Sequence, residues 1–134
     1  MIVGIGNDII EIERIEKAIS KEGFKAKVFT QREIENIVKR GNRAETYAGI
    51  FSAKEAISKA IGTGVREFAL TDLEILNDDL GKPYVIVSDK LNKIIQSKKE
   101  NYQIEIAISH SKKYATAMAI IIWLKLVREE KWIF

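Results

Sequence analysis

The chain has 134 residues, 46% of them hydrophobic, which fits one compact domain with its own core. It has no cysteine and one histidine, so disulfides and thiolate metal sites are excluded and a histidine-rich zinc site is short of ligands; any metal would be a hard ion held by oxygen. The 22 basic and 19 acidic side chains leave a net charge of +3, too balanced for an obvious nucleic-acid binder.

The opening MIVGIGNDII has no basic segment leading into a long apolar one, so it does not read as a signal peptide. The longest apolar run, Ala115 to Leu124, is far short of the roughly 20 residues that span a membrane. A cytoplasmic protein without a membrane segment is expected. Residues 2–11, rich in Ile and Val with two glycines, predict a buried strand with close backbone contacts, on which Asp8 shares a side with Gly4, Gly6 and Ile10. The spacing of Ile12, Ile15 and Ile19 predicts a helix that Gly23 ends or bends. Thr30 with Glu33 predicts a capping box opening a helix to about Lys39, before Gly41 and Asn42 break the chain.

A longer helix is predicted over 44–61, stopped by Gly62 and Gly64. FALTDLEIL then reads as a strand, NDDLG as a turn and KPYVIVS as a strand whose start Pro83 restricts. Asp89 to Lys99 is expected to be a short helix. YQIEIAIS and YATAMAIIIWL are expected to pair as an antiparallel hairpin around HSKK. This order favours an α+β fold over a regularly alternating parallel one. The chain shows no internal repeat, low-complexity segment or linker.

Within FSAKEAISKAIGTG the helical period gathers Ile50, Ala53, Ile57, Ala60 and Ile61 into one buried arc. Glu55 points the opposite way, with Phe51, Lys59 and Gly62 within about 40° of it. This second face is either a solvated Glu–Lys pair or a place where a charged ligand is held. Gly62 serves equally as a C-terminal cap or as bare backbone that a phosphate approaches. The segment is not a P-loop, and GIGNDI is not a dinucleotide fingerprint, because Ile9 stands where the third glycine belongs. Asp8 interrupts an apolar strand and therefore needs a donor, a cation or water. His110 falls in the hairpin connection, as an exposed turn residue or as a group able to donate to a phosphate.

Taken together and in order, GIGNDIIEIERI, FSAKEAISKAIGTG, LGKPYV and AISHSKKYATA resemble the holo-acyl-carrier-protein synthases, the small single-domain type of 4′-phosphopantetheinyl transferase. The resemblance covers nearly the whole chain, and KEA-x-x-KA-x-GTG is its most specific part. It implies the fold of that family, an antiparallel sheet packed against helices including one long one. It also implies transfer of the 4′-phosphopantetheine arm of coenzyme A to a serine of apo acyl carrier protein, with release of adenosine 3′,5′-bisphosphate. Asp8 and Glu55 match the family's metal-binding carboxylates, for Mg²⁺, and Lys59 matches the motif lysine beside the transferring phosphate. Deprotonation of the serine falls to Glu55, directly or through a water polarised beside it, with Asp8 next.

Ser58, Gly62 and Pro83 match positions lining the nucleotide pocket, and His110 matches a coenzyme A binding group. Residues 12–43 carry nine basic and five acidic side chains, a surface suited to an acidic carrier protein. Arg14 is the best-matched docking residue, with Lys21 and Lys25 nearby where the family often uses arginine. The resemblance further implies a homotrimer with sites between subunits and a role in fatty-acid synthesis. Ile50 departs from the pattern, standing where an arginine often precedes the helix aromatic, and LKLVREEKWIF runs beyond the usual final strand. Two rivals remain: transfer to carrier domains of peptide or polyketide synthases, and a basic module that binds an acidic protein or nucleotide without chemistry.

Overall fold

The computed structural model describes residues 1–62, 67–97, 101–127 and 131–133. Strand β1 (Ile2–Glu11) leads into helix α1 (Ile12–Ile19), the short helix α2 (Phe24–Val28), α3 (Gln31–Lys39) and the long α4 (Ala44–Ile61). After α4 come β2 (Leu73–Asn77), β3 (Pro83–Val87), helix α5 (Asp89–Gln96), β4 (Tyr102–His110) and β5 (Tyr114–Trp123). A final hairpin pairs β6 (Lys125–Val127) with β7 (Lys131–Ile133). The main sheet is antiparallel in the order β1-β5-β4, and β2 pairs with β3 in a second antiparallel sheet. The α+β expectation holds.

Helix α4 lies across the inner face of β1 and β5. Its buried arc contains Ile50, Ala53, Ile57, Ala60 and Ile61 as the period requires, but also Tyr47, Ala48, Ala56, Ser52, Lys54 and Ser58. Close approach is possible because β1 offers Gly4 and Gly6 on this side: a Cβ at Gly4 would run into the Ala60 carbonyl oxygen, and one at Gly6 into that of Ala56. Asp8 continues the same alternation, so it too is turned toward α4. The outward residues of β1 include Ile5 and Ile9, 63% and 66% exposed, beside Met118 of β5 at 49%.

The Thr30–Glu33 capping box forms in both directions, Glu33 N donating to Thr30 Oγ1 at 3.2 Å and Thr30 N to Glu33 Oε1 at 2.8 Å. Three expectations are corrected. Gly23, at φ 86°, does not merely end α1; it opens the additional helix α2. The strand expected over FALTDLEIL begins only at Leu73, after a 3₁₀ turn at Leu70–Asp72. There the Asp72 carboxylate accepts from Ala69 N and Ser88 Oγ, a local side-chain bond that displaces the ladder. His110 is the last residue of β4, opposite Ala115, rather than part of the connection. The segment that runs beyond the usual final strand forms the β6–β7 hairpin. Gly64 and the expected end of α5 at Lys99 lie outside the described residues.

Candidate active site

The strand alternation that carries Asp8 toward α4 brings it against one face of that helix. Lys59 Nζ lies 3.2 Å from Asp8 Oδ1 and donates also to the Asn7 carbonyl at 3.0 Å. Ser52 Oγ, about two helical turns toward the N-terminus, reaches Asp8 Oδ2 at 3.1 Å and the Asp8 carbonyl at 3.2 Å. Across the sheet, Thr116 Oγ1 of β5 donates to that same carbonyl at 2.8 Å. The carboxylate in an apolar strand is thus accounted for by a cation and one buried hydroxyl, that of Ser52, as its cost requires.

Glu55 lies between Phe51 and Lys59 on the one stripe of the α4 centre that is not fully buried. No hydrogen bond or ion pair to its carboxylate is found among the described residues, so the expected Glu–Lys pair gives way to a Lys59–Asp8 pair. Partial burial raises the Glu55 pKa above the ordinary carboxylate range. The Asp8 charge raises it further, and Lys59 opposes both. Two carboxylates that feel each other's charge, one of them without a donor, fit a divalent cation. They are hard oxygen ligands, and Mg²⁺ is commonly held by one or two carboxylates with water and phosphate oxygens completing its shell. Among the described residues no cluster of three His, Cys, Asp or Glu side chains is placed for a metal.

Gly62 caps α4 in the left-handed conformation, φ 84°, with its N–H on the Ser58 carbonyl at 3.1 Å. Ser58 is 2% exposed and its hydroxyl donates to the Lys54 carbonyl at 2.9 Å, so that hydroxyl faces the helix. Pro83 and His110 are not brought to Asp8 and Glu55. They line a cleft of ≈ 200 Å³ beside the other end of α4, together with Arg40, Arg43, Thr46 and Gly49. The expected site residues therefore fall into two separate groups in one protomer.

Of the expected docking residues, Arg14 and Lys21 are exposed. Lys25 is half-buried, with its ammonium 5.0 Å over the Tyr47 ring, so it is engaged with the protein itself. Sequence reasoning missed Ser52, Thr116, Arg40 and Arg43, and it missed Lys54, which is fully buried. The Lys54 ammonium donates to Glu33 Oε1 at 2.6 Å, the Val28 carbonyl at 2.5 Å and the Leu70 carbonyl at 3.1 Å. The helical period held a signal for two of these: Lys54 falls about 20° from Ile61, and Ser52 about 20° from Lys59.

A family model described as the 4′-phosphopantetheinyl transferase superfamily matches residues 4–119. The chain is 85% identical over 122 residues to a holo-[acyl-carrier-protein] synthase of Fusobacterium nucleatum, with 91% of this chain and 100% of that protein covered. Its fold is similar to the holo-[acyl-carrier-protein] synthase from Neisseria meningitidis, with a TM-score of 0.82 at 30% identity, covering 90% of this chain and 98% of that one. It is also similar to the Bacillus anthracis synthase in complex with CoA (3′,5′-ADP). That match has a TM-score of 0.75 at 41% identity and covers 92% of this chain and 98% of the other.

Proposed function

The chain belongs to the 4′-phosphopantetheinyl transferase superfamily, and from that premise we propose how its residues carry the reaction. The enzyme transfers 4′-phosphopantetheine from coenzyme A to a serine of apo acyl carrier protein and releases adenosine 3′,5′-bisphosphate. The observation that carries the assignment of residues is the meeting of Asp8, Glu55 and Lys59 on one side of α4.

Asp8 and Glu55 hold Mg²⁺, which when bound neutralises pyrophosphate charge. The serine oxygen forms a bond to the β-phosphorus of coenzyme A, and the bond from that phosphorus to the bridging oxygen breaks. Glu55 takes the serine proton, directly or through a water polarised beside it, with Asp8 next. Lys59, with its side chain 56% exposed, turns from Asp8 to the departing phosphate and offsets its charge. Gly62, with no Cβ, lets the phosphates approach the end of α4, while the Ser58 hydroxyl stays on the Lys54 carbonyl.

The nucleotide end of coenzyme A is held by the cleft with Pro83 and His110, where Arg40 adds positive charge and Arg43 is paired with Glu45 of the same lining at 3.5 Å. The two groups join when chains assemble as a homotrimer, each site combining the carboxylates of one subunit with the cleft of its neighbour. The apolar outer side of β1 and β5, with Ile5, Ile9 and Met118, supports such an assembly. The carrier protein docks on α1 through Arg14 and Lys21, with Lys25 secondary because its ammonium already sits on Tyr47. The enzyme works in the cytoplasm on the carrier of fatty-acid synthesis. No described helix is long and apolar enough to cross a membrane.

Intact-mass spectrometry of apo acyl carrier protein, incubated with the enzyme, coenzyme A and Mg²⁺, tests this. The carrier should gain one phosphopantetheine, and EDTA should prevent it. A gain undiminished by EDTA would overturn the metal assignment.

A further inference from the structure

The two carboxylate oxygens of Asp8 keep different company. Oδ2 accepts from Ser52 Oγ at 3.1 Å, and Ser52 is 0% exposed. Oδ1 is 3.2 Å from the ammonium of Lys59, a side chain that is more than half exposed. The single proton of Ser52 is shared between Oδ2 and the Asp8 carbonyl at 3.2 Å, so one buried hydroxyl clasps both the carboxylate and the backbone of the same residue. The lysine side of this pair is open to water while the Asp8 side chain is only 15% exposed, so it is the ammonium that can leave Oδ1 for a stronger cation.

We propose that Ser52 is a positioning residue for the transfer: its buried hydroxyl holds Asp8 through Oδ2 and leaves Oδ1 as the oxygen that exchanges between Lys59 and the divalent cation. The inference rests on the reading of Asp8 as a metal-holding carboxylate. Ser52 stands on α4 one turn before Glu55, so the same helix that carries one carboxylate also orients the other. Thr116 provides a control in the same place, because its hydroxyl reaches only the Asp8 backbone carbonyl, at 2.8 Å. Ser52 touches both that carbonyl and the carboxylate. Comparison of the two separates fixing the strand from fixing the carboxylate.

The test uses Mn²⁺ in place of Mg²⁺ on the full chain, with free and bound metal read by electron paramagnetic resonance, with and without coenzyme A. Ser52→Ala should weaken Mn²⁺ binding by about 10- to 100-fold, the usual effect of removing a group that orients a metal ligand. Its melting temperature in EDTA and its KM for the carrier protein should stay near wild type. Thr116→Val should leave Mn²⁺ affinity near wild type, and Lys59→Met should tighten Mn²⁺ binding to the free protein by vacating Oδ1. Equal Mn²⁺ affinity in Ser52→Ala and wild type would overturn the proposal alone. Equal losses in Ser52→Ala and Thr116→Val would replace it with a role in seating the strand. Weaker or unchanged binding in Lys59→Met would overturn the exchange at Oδ1. If the wild-type protein bound no Mn²⁺ even with coenzyme A, the metal reading itself would fall.

Discussion

Lys54 and Glu33 meet at 2.6 Å with both side chains wholly shielded from solvent. Burial pushes the Lys54 pKa down and that of Glu33 up, and each is opposed by the charge of the other. The remaining polar capacity is filled: Lys54 also donates to the ends of α2 and the 3₁₀ turn, while Glu33 accepts from Thr30 N and, at 2.8 Å, from Ile75 N. One ammonium thereby ties α2, α3 and the approach to β2 to the helix that carries Glu55. Replacing one partner strands the other charge, so Lys54→Met should lower stability by about 3–5 kcal/mol in urea unfolding. Lys54→Met combined with Glu33→Met should recover part of that loss. A single substitution costing under about 1 kcal/mol would mean the pair is dispensable.

Gly6 faces the Ala56 carbonyl with no room for a Cβ. Gly6→Ala should therefore push β1 off α4, and Asp8, two residues along the same strand, should move with it. We expect a stability loss of about 1–3 kcal/mol or more, with a fall in transfer rate at saturating carrier protein. Gly81→Ala is a useful contrast. It has open space around it, and its cost arises from its φ of 86° alone. If Gly6→Ala kept wild-type stability and rate, the close packing of β1 on α4 would not be what sets the site.

Much of this was readable from residue order because the relevant signals are local. The capping box needs only Thr30 and Glu33, the buried arc of α4 follows the helical period, and an aspartate in an apolar strand announces a partner. The partner itself was not readable, since Lys59 and Ser52 reach Asp8 across more than forty positions of chain. Lys54 was missed because its compensating groups come from three separate segments that only the fold brings together. The strand expected from Phe68 began late because Asp72 bonds its own neighbourhood first. The matched site residues split into two groups, since a motif records which residues occur in a chain and not how far apart the fold sets them.

Glu55 has no hydrogen-bond partner in the described structure, so the fold does not depend on its charge. Glu55→Gln keeps the shape and removes both a metal ligand and the proposed base. Transfer should be abolished, while the circular dichroism spectrum and melting temperature remain those of wild type. Normal turnover in this variant would sink both roles at once.

Arg14 is exposed on α1, clear of the Lys17–Glu13 pair at 3.2 Å on the same helix. Reversing its charge should weaken attraction to an acidic carrier without touching the coenzyme. Arg14→Glu is expected to raise KM for apo acyl carrier protein by about 10-fold or more, with the difference from wild type shrinking as salt rises. KM for coenzyme A should change little. Equal increases in both constants would argue that the substitution disturbs the site rather than the docking surface.

The separation of Asp8, Glu55 and Lys59 from the cleft of Pro83 and His110 gives the assembly its own test. If each site combines the carboxylates of one subunit with the cleft of a neighbour, two differently damaged chains can repair each other. Glu55→Gln lacks the first half, and His110→Glu spoils the second by placing negative charge where phosphate should bind. Each variant alone should be nearly inactive. Co-expressed and purified as mixed trimers, they should recover a clear fraction of wild-type activity, because some interfaces join an intact Glu55 to an intact His110. Adding Ile9→Asp to both chains puts charge on the exposed apolar side of β1 and should abolish the recovery while sedimentation shows monomers. Mixed trimers without recovered activity would place both halves of the site in a single chain.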